Sequence, residues 1–184
     1  MCTRLTARLL LRPLQMDDLD IASRIHGDPQ TNRHNPDGPR SREQTQALLT
    51  LWTQFHERHG FGYWTICDRE QPGRVLGFGG VMRKAIGPVH GLNMYFRLAT
   101  HAWGQGYAQE MAGAALSLAF ETLGEKAVYG LTRPTNLPSR RILQKIGMNP
   151  YLETDDVPGE PASLIYRVTA GDFFHRDAQR NELG

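Results

Sequence analysis

Residues 92–108 constrain this chain more than any other stretch. Leu92-Asn93-Met94-Tyr95-Phe96-Arg97-Leu98 reads as a strand, Trp103-Gly104-Gln105-Gly106-Tyr107-Ala108 as a turn, and Ala108 to Leu123 as a long apolar helix. A strand that enters two closely spaced glycines and leaves as a helix presents bare backbone N–H groups at the positive end of a helix dipole. That is a phosphate-binding construction. The same glycines also suit a plain strand–turn–helix corner, and the turn alone does not separate the two.

The spacing fits neither common nucleotide loop. A dinucleotide fingerprint needs glycine or alanine three residues after Gly106, where Gln109 stands. The acidic residue expected roughly 20 residues on would fall near Glu125, before the next strand rather than at its end. A P-loop would need Gly-Lys-Ser/Thr, which the chain lacks.

At 184 residues the chain suggests one domain with a proper core. A net charge of +2 with no dense Lys/Arg run argues against nucleic acid or a membrane surface as partner. Two cysteines, Cys2 and Cys67, the first near a terminus, speak against a structural disulfide, and no metal-type Cys/His spacing occurs. The N-terminus lacks a signal-peptide apolar core, and no apolar run approaches the ~20 residues of a membrane span. The expectation is a cytoplasmic protein without a metal.

Arg8–Arg12 reads as the first strand. A short helix capped by Asp17 or Asp18 follows and ends near Gly27; the Pro-, Asn- and Gly-rich segment 28–40 reads as loop. Ser41 and Gln44 have capping-box spacing ahead of Ala47, Leu48, Leu51, Trp52 and Phe55, which predicts a helix to Gly60. Strands are expected at Tyr63–Cys67, Val75–Val81, Leu92–Leu98, Ala127–Leu131, Met148–Glu153 and Leu164–Val168. A helix spans Pro138–Ile146, and Gly124 ends the long apolar one. The order β-α-α-β-β-β-α-β-α-β-β predicts a single α+β domain over 1–175, a mixed sheet covered by helices, with 176–184 as a mobile tail.

Together these segments resemble the GNAT acetyltransferase superfamily, and most closely its ribosomal-protein-alanine N-acetyltransferase (RimJ/RimL-like) branch. Arg4-Leu-Thr-Ala-Arg8-Leu-Leu-Leu-Arg12-Pro13 looks like the opening strand, and Val75-Leu-Gly77-Phe-Gly-Gly80-Val like the third. Tyr95-Phe-Arg-Leu98 with Trp103-Gly-Gln-Gly-Tyr-Ala108 is similar to the acetyl-CoA signature. Asn136-Leu-Pro-Ser139 with Lys145-Ile-Gly147-Met148 is similar to the second motif.

The resemblance implies a GNAT-like fold, a mixed central sheet with a splayed strand pair and helices on both faces. It implies acetyl-CoA as co-substrate. Backbone amides around Gln105, Gly106, Tyr107 and Ala108 would hold its pyrophosphate. Free backbone groups near Met94, Tyr95, Phe96 and Arg97 would pair with pantetheine and hold the thioester carbonyl. Asn136 would hydrogen-bond pantetheine from the far side, or else serve its own helix entry. Ser139 would assist the departing thiolate as the catalytic residue, or simply occupy a first helical turn.

Three positions depart from the pattern. Trp103 replaces a common Gln or Arg, which leaves the backbone-amide logic intact. Leu143 stands where many members have a tyrosine acid, and Asn93 where the branch often has glutamate. The general base is therefore open. His90 and His101 are candidates, although each also reads as a loop histidine. The 28–40 loop, with His34 and Asn35, is a candidate acceptor wall. Trp52, Tyr63 and Trp64 read as core, and Arg140 and Arg141 as solvated rather than bound to the coenzyme 3′-phosphate. Cys67 lacks an activating partner, so no cysteine nucleophile is indicated.

The expected activity is acetyl-CoA-dependent N-acetylation by direct attack in a ternary complex, on a protein or peptide N-terminal α-amine. Alternatives are a small amine or amino-sugar acceptor, a non-catalytic acyl-CoA-binding module and, more remotely, a nucleotide enzyme. A homodimer stays open.

Overall fold

The computed structural model describes residues 3–182, and Cys2 lies outside them. Eight strands form one sheet in the order β1-β2-β3-β4-β5-β6-β8-β7: β1 Arg4–Leu5, β2 Leu9–Pro13, β3 Tyr63–Asp68, β4 Val75–Ile86, β5 Val89–Leu98, β6 Ala127–Thr132, β7 Asn149–Thr154 and β8 Ser163–Thr169. Every neighbouring pair is antiparallel except β5 and β6, which are parallel. The helices are α1 Leu19–Gly27, α2 Arg42–His59, α3 Tyr107–Ser117, α4 Leu137–Lys145 and α5 Ala170–Glu182.

Alternation along the strands builds two apolar layers. On β3, Tyr63 joins Trp52 of α2, Ala22 and Ile25 of α1, and Phe78 of β4. Its neighbours Trp64 and Ile66 face the opposite way, toward Met111, Ala112 and Ala115 of α3. Trp52, Tyr63 and Trp64 are thus core residues, as expected. The close approach of α3 needs a glycine: a Cβ on Gly79 would stand 2.7 Å from Met111 Cε and from the Tyr95 carbonyl oxygen.

The Ser41/Gln44 capping box forms and α2 ends at Gly60 in the left-handed region, as the spacing predicts. Strand β4 extends past Val81 to Ile86 and turns through Gly87-Pro88 into β5. Its last turns carry exposed Arg83, Lys84 and Ala85, which masked the strand pattern in sequence. The apolar helix after Gly106 closes through a π-helical turn at Leu118–Thr122, just before left-handed Gly124.

Residues 176–182, expected as a mobile tail, continue helix α5; residues 183–184 lie outside the described part. Thr169 and Asp172 start this helix by bonding reciprocally, with the Thr169 hydroxyl 2.6 Å from Asp172 Oδ2 and the Asp172 N–H 3.2 Å from the hydroxyl.

One buried ion pair ties α1 to the sheet. Asp18, 5% exposed, receives Arg12 Nη2 at 2.6 Å and Nη1 at 2.9 Å, the Thr65 hydroxyl at 2.8 Å and the Gln15 N–H at 3.0 Å. Burial raises its pKa, but the bonds from Arg12, Gln15 and Thr65 outweigh that and hold the carboxyl below its ordinary range. A lowered carboxyl pKa stabilises the fold above the unfolded value of about 3.9, and the contribution fades as pH falls below it. Asp18→Asn should therefore cost on the order of 3 kcal/mol in urea unfolding at pH 7, because it strands the Arg12 charge. The difference from wild type should shrink below about pH 4.

Candidate active site

The glycine turn adopts the geometry its sequence suggests. Gly104 and Gly106 have φ of +73° and +78°, a left-handed conformation that side chains disfavour. Gly106 is the N-cap of α3 and offers no side-chain cap. The N–H groups of the first turn, Tyr107 and Ala108 among them, therefore have no intrahelical partner.

Arg8 holds this turn in place, a role that sequence reading missed. Its Nε meets Glu110 Oε2 at 2.7 Å, its Nη1 donates to the Gln105 carbonyl at 2.9 Å, and its guanidinium lies 4.7 Å from the Tyr107 ring centre. Glu110 also receives the Thr6 hydroxyl at 2.6 Å and the Arg8 N–H at 2.7 Å. Burial pushes the Glu110 carboxyl up, but the bonds from Thr6 and Arg8 win and keep it below its usual range. Trp103 seals the strand end by donating its indole N–H to the Leu98 carbonyl at 2.9 Å.

The strand before the turn opens from its neighbour. Strands β5 and β6 share register only at Leu92↔Val128 and Asn93↔Tyr129. Met94, Tyr95, Phe96 and Arg97 are paired with β4 on one edge and with no strand on the other. Met94 and Leu98 point into the α3 layer, with Phe96 packed against it, whereas Tyr95 faces α2, 5.4 Å from the Trp52 ring. The result is a V-shaped gap with backbone on its wall and the glycine turn at its mouth.

Across the gap, Asn136 caps α4 by accepting from the Ser139 N–H at 3.2 Å. Its amide oxygen serves the helix entry, the alternative role weighed for it, while its amide N–H groups find no partner among the described residues. Ser139 is half-buried in the first turn of α4, and no bond of its hydroxyl to another described residue is formed. Leu143 is 2% exposed and belongs to the core, so that position supplies no acid. Arg140 donates to the Tyr166 hydroxyl and the Pro134 carbonyl; Arg141 is exposed.

The 28–40 loop spans the gap. The His34 ring approaches the Thr135 hydroxyl at 3.5 Å, and Arg33 stacks 5.8 Å over Trp103. Asn35 instead braces the loop itself by donating to the Gly38 carbonyl at 2.8 Å. His90 and His101 are exposed on the flanks of β5. Asn93 is buried and donates to the Tyr63 hydroxyl at 2.9 Å, leaving its own amide oxygen without a partner. Burial raises the Cys67 thiol pKa, which leaves it a poor nucleophile. Among the described residues no group of His, Cys, Asp and Glu is arranged to hold a metal, and no helix is long and apolar enough to cross a membrane.

This geometry has known counterparts. A family model described as an acetyltransferase (GNAT) domain matches residues 8–149, so the chain belongs to the GNAT acetyltransferase family and is an N-acetyltransferase. It is 29% identical over 164 residues to the uncharacterized protein YkkB of Bacillus subtilis (strain 168), covering 88% of this chain and 93% of that protein. It is 27% identical over 163 residues to the FsC-acetyl coenzyme A-N(2)-transacetylase of Aspergillus fumigatus, covering 81% of this chain and 65% of that protein. The crystal structure of the acetyltransferase from Agrobacterium tumefaciens str. C58 superposes with a TM-score of 0.77 at 26% identity, over 91% of this chain and 94% of that one.

Two buried histidines make the fold sensitive to acid. His26 is fully buried with both ring nitrogens unbonded; burial first, then Arg97 and Arg40, bring its pKa down to about 3. His56 is buried and shifted the same way. Between the unfolded histidine value of about 6.5 and the folded one, only the unfolded chain takes up these protons, so stability falls as pH falls through that window. His26→Leu should flatten the slope of unfolding free energy between pH 6.5 and 5 by up to about 1.4 kcal/mol per pH unit. A slope equal to that of the wild type would show that His26 is not held neutral.

Proposed function

We propose that this enzyme transfers the acetyl group of acetyl-CoA to an α-amine at a protein or peptide N-terminus, by direct attack in a ternary complex. One observation carries the coenzyme assignment: an uncapped helix N-terminus, opened by left-handed Gly106, adjoins the gap where β5 leaves β6. In this reading the amides of Gln105, Gly106, Tyr107 and Ala108 hold the pyrophosphate. The free edge from Met94 to Arg97 pairs with pantetheine and stabilises the oxyanion. Asn136 reaches pantetheine through its free amide N–H groups, and Ser139, whose hydroxyl is uncommitted, assists the departing thiolate.

The α-amine follows from the missing base. Asn93 takes no proton, and its side chain is committed to Tyr63. An α-amine, with a pKa of about 7.7–8.0, sheds its proton to water near neutrality, whereas a lysine amine at about 10.4 stays charged. The likeness to the ribosomal-protein-alanine branch in the two motifs supports the same acceptor class.

Acetyl-CoA should raise the melting temperature of the wild type by mass action. Gly106→Val should remove that shift while the protein stays folded, because the turn needs a left-handed residue and open backbone. An equal shift in both proteins would take the coenzyme away from this turn.

With an acetylated peptide identified in a consumption screen, Ser139→Ala should lower kcat by roughly 10²-fold or less and barely change acetyl-CoA affinity. The alkaline rise of kcat/KM should follow the acceptor's own pKa and move when that pKa is changed. It should stay in place in His90→Ala and His101→Ala. A limb near ~6.5 that vanishes in either variant would make that histidine the base.

A further inference from the structure

Four arginines that brace this fold find a carboxylate: Arg8 with Glu110, Arg12 with Asp18, Arg83 with Glu125 and Arg133 with Asp156; Arg140 and Arg176 bond instead to hydroxyl or carbonyl oxygens. Arg97 and Arg40, both half-buried, find no carboxylate among the described residues. Arg97 stands on the free-edged part of β5, opposite Phe78 of β4, and its side chain reaches Asn32 Oδ1 and the Tyr95 hydroxyl, which are neutral. His26 lies over the same spot, its ring 5.9 Å from Phe78, fully buried and with neither nitrogen bonded. The Arg40 N–H donates to the His26 carbonyl at 2.9 Å, and the charges of Arg97 and Arg40 both lower the His26 pKa. The adjacent acid Asp28 is turned to the Gln30 N–H, and Asp37 is exposed.

Two half-buried guanidinium groups and a buried, unpartnered imidazole form a site with positive charge and no counter-charge. Such an arrangement is costly unless an anion completes it. The face of the strand says which ligand brings that anion. Met94 and Leu98 point to the α3 layer, whose N-terminus bears the glycine turn, while Arg97 points with Tyr95 to the α1/α2 side beneath the 28–40 loop. An anion at Arg97 therefore belongs to the acceptor rather than to the coenzyme phosphates.

Two guanidinium groups call for an anionic partner, and a carboxylate suits the planar fork of a guanidinium. In the acceptor reading above, the carboxylate comes from an acidic side chain close to the peptide N-terminus.

We propose that Arg97 and Arg40 bind an acidic side chain of the acceptor, making this enzyme selective for peptide N-termini with Asp or Glu near the start. The selectivity rests on the acceptor reading above. The test uses matched peptides that begin Ala-Glu or Ala-Ala-Glu, each against its Gln counterpart, with free glutamate as a separate arm. Wild type should favour the Glu peptide at least tenfold in kcat/KM, and Arg97→Gln should bring the ratio near one. Arg40→Gln, in the loop rather than the sheet, should lower it as well and gives a second variant should Arg97→Gln fold poorly.

A binding readout works without turnover. The Trp52 ring is 5.7 Å from His26, so its fluorescence should report binding of the N-acetylated Glu peptide at least tenfold more tightly than the Gln peptide, with the difference lost in both variants. Equal handling of Glu and Gln peptides by the wild type, a preference that persists in both variants, or a preference for free glutamate would overturn the proposal. Loss of the acetyl-CoA melting shift would instead strike the coenzyme reading, because the fluorescence comparison needs no coenzyme.

Discussion

The parallel contact between β5 and β6 lasts for two residue pairs, and the site depends on its ending there. Each strand is claimed by its other neighbour: β5 is registered with β4 from Gly77↔Leu98 to Ile86↔Val89, and β6 with β8 from Ala127↔Thr169 to Thr132↔Leu164. Each half of the sheet keeps its own direction, and only Leu92 and Asn93 bridge to Val128 and Tyr129. Beyond that point a sheet interior holds backbone groups with no partner strand, which is costly unless a ligand or water takes them up. The glycine turn follows directly from the open strand, so the free edge and the uncapped helix terminus are set by the same short stretch of chain.

The remaining elements hold that gap in a fixed shape. Arg8 and Glu110 bind the turn to the start of β2, a sequence separation of 102 residues, so the helix terminus cannot drift from the sheet. On the other face, Asp18 fastens α1 to β2 and β3, and α1 carries His26 to its place above Phe78. The face beneath α1 and α2 is consequently more polar than an ordinary core. Asn93, Tyr63, Tyr95, Arg97 and His26 share it, and the orphaned atoms of Asn93 and His26 mark where that polarity is not satisfied within the chain. Natural folds keep such groups mainly where a ligand or a specific constraint requires them.

Legibility in the sequence followed the range of the interactions involved. The α2 helix was readable at both ends because Ser41, Gln44 and Gly60 act within one turn of themselves. The turn at Gly104 and Gly106 was readable because only glycine takes that backbone conformation cheaply. Helix α5 carries a comparable signal in Thr169-Ala-Gly-Asp172, obscured by the polar run from His175 on. The two-residue β1 had no pattern to show, and the end of β4 was hidden by exposed Arg83 and Lys84.

The sequence by itself determined the local chemistry: which segments are strands and helices, where the backbone turns left-handed, and that Leu143 and Asn93 have no proton to exchange near neutral pH. Family resemblance was legible there too, because two short motifs fall in order on the right elements. Tertiary structure decided which residues meet. Arg8 with Glu110, Arg12 with Asp18 and Arg97 with Asn32 join segments whose separations leave no periodic trace. It also decided that Arg97 and Arg40 meet no carboxylate among the described residues, while Arg8, Arg12, Arg83 and Arg133 do. Whether a charge is answered depends on what the sheet brings within a few ångströms of it, and the strength of that answer depends on burial. Neither quantity exists until the chain has folded.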